Sequence, residues 1–280
     1  MQTKTIVIAG CGDVGSAIGQ LLNKAGHKVI GLRRNINQLP QGIQGISADL
    51  TQLDALKQSL KQIEQYDILV YAASASTSTE EGYRSAYVDG LKNTLAALPM
   101  TPSHLFFTSS TGVYHQNDHS WVDEESPCEP QRFSGQVMLE AEQLLHAQGI
   151  PATVVRFSGI YGPGRGYLIN KVREGNLAPE SPLQYSNRIH RDDCAGVVAH
   201  LVNRVFEGHP VDKCYLASDD HPCSMHEITH WLAGELNASM QSKSVTRFSG
   251  SKRCSNKRLK ESGYQFIYPD FKTGYKTLIN

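Results

Sequence analysis

Two hydrophobic periods alternate through the first half of the chain. Thr5–Ala9 is a short β-branched run with the texture of a buried strand. Val14–Lys24 then carries Val14, Ile18, Leu21 and Leu22 at helical spacing. His27–Leu32 and Gly45–Ala48 predict a second and a third strand, and Asp54–Gln65 a helix. Asp67–Ala72 predicts a fourth strand, Tyr83–Leu98 a helix and His104–Thr108 a fifth strand. Ser134–Gln148 predicts a long helix and Ala152–Phe157 a sixth strand. The strands are apolar along their whole length instead of alternating. That pattern predicts a parallel sheet covered on both faces: an α/β, Rossmann-type doubly wound fold.

The texture changes after Gly159. Gly162, Pro163, Gly164, Gly166, Pro179 and Pro182 punctuate a loop-rich segment. Helical spacing returns over Ile189–Phe206 and Ser224–Leu236, with a further strand at Cys214–Ala217, and the tail over Lys252–Phe271 is polar and broken. We expect a core over residues 1–160, completed by 187–218. A small C-terminal substrate lobe is expected from 161–186 and 219–280.

The first chemistry to emerge is a phosphate cradle. Gly10-Cys11-Gly12-Asp13-Val14-Gly15 reads G-x-G-x-x-G, directly after a β-branched strand and at the opening of an amphipathic helix. Gly10 permits the tight turn, Gly12 the approach of a pyrophosphate and Gly15 close helix–strand packing. With Asp13 and Val14, these residues form the helix N-terminus, whose free N–H groups and dipole suit phosphate. The other reading is a glycine-rich turn without a ligand. At the end of the second strand, about 20 residues on, NAD-selective proteins place an acid for the ribose 2′-hydroxyl. Here stand Arg33 and Arg34, which suit a 2′-phosphate if they are more than surface charges. The expected cofactor is therefore NADP, with NAD the alternative.

These and later segments together resemble the extended short-chain dehydrogenase/reductase superfamily, the NAD-dependent epimerase/dehydratase group. Ala48-Asp49-Leu50 resembles its adenine-contacting Asp-Leu step. The segment ending Ala72-Ala73-Ser74 resembles its fourth-strand cofactor wall. Phe106–Tyr114 resembles the fifth strand and its catalytic-serine turn. Arg156-Phe157-Ser158-Gly159-Ile160-Tyr161 resembles the sixth strand and the loop beyond. Ile189-His190-Arg191-Asp192-Asp193-Cys194-Ala195 resembles the late I-H-x-D-D-x-A segment. The resemblance implies that Asp49, Leu50, Ala72, Ala73, Ser74, Phe157, Ser158 and Gly159 contact the cofactor. It also implies a homodimer through the Tyr83–Leu98 and Ser134–Gln148 helices.

One departure bears on catalysis. The family's Tyr-x-x-x-Lys pair is usually followed by L-E-A-E, which stands here as Leu139-Glu140-Ala141-Glu142. That register puts Ser134 at the Tyr position and Met138 at the Lys position. A Ser hydroxyl is far less acidic than a phenol, and Met carries no charge. Losing general acid–base help typically costs about 10²–10⁴ in rate. Together with G-x-G-x-x-G in place of the usual G-x-x-G-x-x-G, this resembles an atypical, bacterial reductase-like branch. The substitute catalytic candidates are Ser110, Ser134 and Tyr114. Ser110 is alternatively a cap after its strand, and Tyr114 a lining residue. His190 reads as a packed or capping residue at a helix start. An NADP-dependent oxidoreductase or epimerase-like enzyme is one functional reading, and a non-catalytic NADP(H) sensor or regulator the other.

His226-Glu227-Ile228-Thr229-His230 is H-E-x-x-H, the zincin pattern, but no third ligand follows at the usual spacing. We expect no metal site there and none elsewhere. Charge adds mainly exclusions. Lys plus Arg equals Asp plus Glu, 27 each, so nothing in the balance marks a nucleic-acid or membrane-surface partner. The basic run Lys252-Arg253 with Lys257-Arg258 reads as solvated surface. Six irregularly spaced cysteines in 280 residues read as reduced thiols, and no apolar run has signal-peptide or membrane-span form. A cytoplasmic protein acting on a small molecule is expected.

Overall fold

The computed structural model describes residues 3–238 and 250–279. At its centre lies β1 (Thr5–Ala9), where Ile6, Val7, Ile8 and Ala9 are completely buried. Each large side chain buried this way contributes roughly 1.5–3 kcal/mol. Burial on both faces explains the missing alternation. Around it run β2 (Lys28–Arg33), β3 (Ile43–Ser47), β4 (Ile68–Tyr71), β5 (His104–Ser110), β6 (Ala152–Phe157) and β7 (Cys214–Ala217). They form one seven-stranded parallel sheet in the order β7-β6-β5-β4-β1-β2-β3. The order reverses beside β1, which opens a crevice at the carboxyl ends of β1 and β4.

Helices α1 (Asp13–Lys24), α2 (Leu53–Leu60), α4 (Phe133–His146) and α5 (Arg191–Phe206) follow the expected periods, with ends shifted by a few residues. Between α2 and α4, the helix expected over Tyr83–Leu98 forms as α3 over 80–97, with a wider turn at Arg84–Asp89. The Tyr71 hydroxyl, arriving from β4, donates to the Ala86 carbonyl in that turn at 2.5 Å. Gly90 makes room for it: a Cβ there would lie 2.5 Å from the Tyr71 hydroxyl.

One expectation is corrected. Helical structure begins at Arg191, not Ile189, because Arg188–His190 is a strand paired in parallel with Gly159–Tyr161. The His190 Nδ1 then accepts the Asp192 N–H at 3.2 Å and caps the new helix.

The chain divides into two compact units. One comprises 1–113, 129–156 and 195–215, and the other 114–128, 157–194 and 216–280. Within the first, Glu142 of the L-E-A-E segment is buried. It accepts from the Arg156 guanidinium at 2.6–3.3 Å and from the Ser109 hydroxyl at 2.5 Å. This network ties α4 to β5 and β6. Within the second unit, buried Asp193 accepts from the backbone N–H groups of Ile267 and Tyr268 at 2.8 and 3.0 Å. It also accepts from the Tyr264 hydroxyl at 2.8 Å. The D-D step thus fastens the polar tail, which folds into helices at Lys257–Glu261 and Phe271–Ile279. The loop-rich segment likewise holds a helix at Tyr167–Arg173, and short two-stranded pairings join 185–186 to 223–224 and 121–122 to 253–254. Elements this short offer too few periods to be seen in a hydrophobic pattern.

Two outcomes follow. Arg156→Met leaves Glu142 buried and unpaired and costs about 3–5 kcal/mol in urea unfolding, much of it recovered by adding Glu142→Leu. Burial lowers the His104 imidazole from its ordinary 6.5 to about 4, while its Nε2 shares a 2.9 Å hydrogen bond with Thr153. Between those values the unfolded chain carries a proton that the folded chain lacks, so stability falls as pH drops through that window. His104→Gln flattens this limb of the stability–pH curve.

Candidate functional site

The site is built around the turn from β1 into α1. Gly10 adopts φ +88°, and a Cβ there would lie 2.3 Å from the Ala73 backbone at the end of β4. Gly15 faces back onto the turn, where a Cβ would meet the Gly10 carbonyl oxygen at 2.5 Å. Gly12 differs from both, since a Cβ there would meet nothing within 4 Å. Gly10 and Gly15 therefore serve packing, whereas Gly12 keeps an open approach clear. Gly12 is also the N-cap of α1, with no side chain capping the first turn. The helix thus presents uncapped N–H groups and its positive dipole end to whatever enters.

A cleft of about 330 Å³ opens there, lined in part by Gly10, Gly12, Arg33, Arg34, Asp49, Leu50, Ala73 and Ser74. All eight were expected from the sequence to touch a cofactor. The expected Asp13, Val14, Gly15 and Ala72 adjoin the lining without forming it, Gly15 acting through packing. Phe157, Ser158 and Gly159 belong to the second unit. There the Ser158 N–H donates to Ala217 and the Gly159 N–H to Asn187, at 3.0 and 3.1 Å. The Ser158 hydroxyl is buried without a hydrogen-bond partner among the described residues.

The two arginines do different work. Arg33 donates through Nη1 to the Cys11 carbonyl at 3.1 Å and through Nη2 to Gln38. Its fork clamps the glycine turn to the short helical turn at Ile36–Gln38. No comparable bond holds the Arg34 guanidinium among the described residues, and it lines the cleft as a charge. Asp49 opposes it. Its carboxyl is held below the ordinary value first by the Thr51 backbone N–H at 3.0 Å, then by the Thr51 hydroxyl at 2.7 Å, with Arg34 assisting. The cleft rim therefore carries an oriented carboxylate beside a guanidinium.

Sequence reasoning missed Cys11, Gln38, Thr51 and the wall formed by Ser76, Gly82, Ser85 and Ala86. That wall comes from the chain folding back over β4, and no local pattern marks it. Cys11 sits at a variable position of the glycine motif. A Cβ at Gly31 of β2 would come within 2.9 Å of its sulfur, and burial pushes its thiol up. It is packing, not a nucleophile.

Of the catalytic candidates, Ser110 ends β5, and its hydroxyl oxygen accepts the Gly112 N–H at 3.0 Å, leaving its own proton free to donate. Ser134 lies half-buried in the first turn of α4. Its neighbour Gly135 brings that turn against the Ser110 turn: a Cβ at 135 would sit 2.4 Å from the Gly112 carbonyl oxygen. Met138 follows one helical turn on and is buried, an apolar thioether with no charge. Tyr114 belongs to the second unit and is buried, its backbone carbonyl accepting from the Lys252 ammonium at 3.3 Å. Among the described residues no helix is long and apolar enough to cross a membrane.

A model of the NAD dependent epimerase/dehydratase family matches residues 6–212. Over 99% of its length the chain superposes on 98% of a Methylobacillus flagellatus protein, at 40% identity and a TM-score of 0.84. That protein carries the provisional description of an NAD-dependent epimerase/dehydratase. The chain is 27% identical over 210 residues to the chloroplast stem-loop binding protein of 41 kDa b of Arabidopsis thaliana. It is 25% identical over 194 residues to the UDP-glucose 4-epimerase of Streptomyces lividans. These matches cover 69% and 64% of this chain but only 53% and 59% of those two relatives.

The glycines rank by what surrounds them. In thermal and urea unfolding, Gly10→Ala and Gly15→Ala lose the most stability, because each must push backbone apart. Gly12→Ala loses the least. Equal losses at all three positions would contradict the assigned roles.

Proposed function

Because the chain belongs to the NAD dependent epimerase/dehydratase family, we propose that it is a nicotinamide-dinucleotide enzyme of the reductase or epimerase type that prefers NADP(H) and acts on a small polar substrate. One observation carries the reading. The uncapped N-terminus of α1, kept open by Gly12, faces a cleft whose rim holds Arg34 beside the Asp49–Leu50 step. The space a Cβ would fill at Gly12 is the room a pyrophosphate needs, so these residues fit a dinucleotide.

In this reading the α1 N-terminus holds the pyrophosphate, and Asp49 and Leu50 flank the adenine. Arg34 pairs with the 2′-phosphate, while Arg33 keeps the loop shaped. When bound, the cofactor supplies a hydride acceptor or donor. The protein's own task is to orient the substrate and to handle the proton. Ser110, with its oxygen lone pair engaged by Gly112, is set to donate to a substrate oxygen. Ser134 is the second hydroxyl, held against the same turn through the Gly112–Gly135 contact. Without an ammonium at 138 to lower a phenol's pKa, proton transfer rests on weakly acidic hydroxyls, so turnover is slow by family standards.

Calorimetric titration with NADPH and NADH tests the reading. NADPH binds more tightly than NADH. Arg34→Ala weakens NADPH about tenfold, equivalent to about 1.4 kcal/mol, and leaves NADH nearly unchanged. Arg33→Ala weakens both, because it loosens the loop. NADPH binding without turnover on any carbonyl or sugar-nucleotide panel would leave the sensor reading standing. Binding of neither nucleotide would remove both.

A further inference from the structure

The residues of the H-E-x-x-H segment turn to two different sets of partners. His226 and His230 turn their Nδ1 atoms to the carbonyls of Ala178 and His226, at 3.1 and 2.9 Å. Glu227 turns elsewhere, to His221 Nε2 at 3.3 Å. Beside this pair lies the thiol of Cys223. One ligand atom from each of His221, Cys223 and Glu227 lies within 4.8 Å of the others. We propose that His221, Cys223 and Glu227 form a binding site for a borderline-soft divalent transition-metal ion such as Zn²⁺, a site independent of the dinucleotide cleft.

The donor set argues for this class of ion. One imidazole, one thiolate and one carboxylate suit zinc and not magnesium or calcium, and three protein ligands leave a fourth position for water. Zinc–ligand bonds of about 2.0–2.3 Å require ligand atoms about 3.2–3.8 Å apart, so the cluster need tighten by only about 1 Å. His221 and Glu227 are the half-exposed members and supply that movement, while Cys223 is fixed on a short strand against the core of this unit.

The surroundings support a cation. Asp219 is 1% exposed, and its Oδ1 accepts the backbone N–H of His221 at 3.2 Å. Its Oδ2 has no hydrogen-bond partner among the described residues. A divalent ion engages the Glu227 carboxylate of this cluster. The Lys272 ammonium, 3.8 Å from Glu227 and half-exposed, is the group it displaces. Binding converts the thiol to a thiolate and releases its proton to solvent.

The test titrates the reduced, full-length protein with Co²⁺ and then Zn²⁺ under anaerobic conditions. Co²⁺ produces a thiolate-to-cobalt charge-transfer band in the near ultraviolet, saturating at one equivalent and lost on adding Zn²⁺. Cys223→Ser abolishes the band. His221→Gln and Glu227→Gln each weaken binding about tenfold or more, while His230→Ala leaves it unchanged. Circular dichroism checks that each variant is folded. Absence of the band from the wild-type protein would overturn the proposal without recourse to variants. Its survival in folded Cys223→Ser, or its loss in His230→Ala, would overturn it equally.

Discussion

The constraint on which the rest depends is the approach of two backbones where β1 ends and β4 ends. Gly10 passes so close to Ala73 that no side chain fits between them, and Gly15 lies equally close to the Gly10 carbonyl. Because α1 starts from this turn, its N-terminus is set at the carboxyl edge of the sheet, where the strand order reverses. Loosening the contact would move the helix end, the cleft floor and the Ala73–Ser74 wall together. Position, and not any single side chain, is what the turn contributes to binding.

Charge is then distributed over a site that geometry has already placed. Arg33 is consumed by the protein, bridging the glycine turn to Gln38, while Arg34 and Asp49 divide the rim between a cation and an anion. Two adjacent arginines of one sequence pattern thus hold different jobs, one architectural and one available to a ligand. The same division recurs in L-E-A-E. Glu140 pairs with Arg84 at the half-exposed surface, where such pairs contribute little, whereas Glu142 is buried in a network with Arg156 and Ser109. The L-E-A-E segment is, in this chain, a packing device for α4.

The parallel sheet was legible because long, wholly apolar strands and amphipathic helices carry strong periods. Thr5–Ala9, Ala152–Phe157 and Cys214–Ala217 form at the residues the pattern picks out. The glycine cradle was legible because steric demands at Gly10 and Gly15 admit no other residue type. What was hidden depends on contacts distant in sequence. The wall at Ser76–Ala86 arises from chain reversal over β4. The strand at Arg188–His190 imitates the start of a helix until its pairing with Gly159–Tyr161 is seen. The distinction between Arg33 and Arg34 rests on Gln38 and a carbonyl of the glycine turn. The approach of Glu227 to His221, a residue outside the H-E-x-x-H pattern, is likewise invisible to a local motif.

The central claim is that this cleft cradles a dinucleotide with its phosphates on α1. A crystal structure of the protein grown with NADPH tests it most directly. The account predicts the pyrophosphate over the Gly12 N–H at the start of α1 and the 2′-phosphate against Arg34, with Asp49 toward the adenine. NADPH bound elsewhere, or bound here with its 2′-phosphate turned away from Arg34 into solvent, would contradict it.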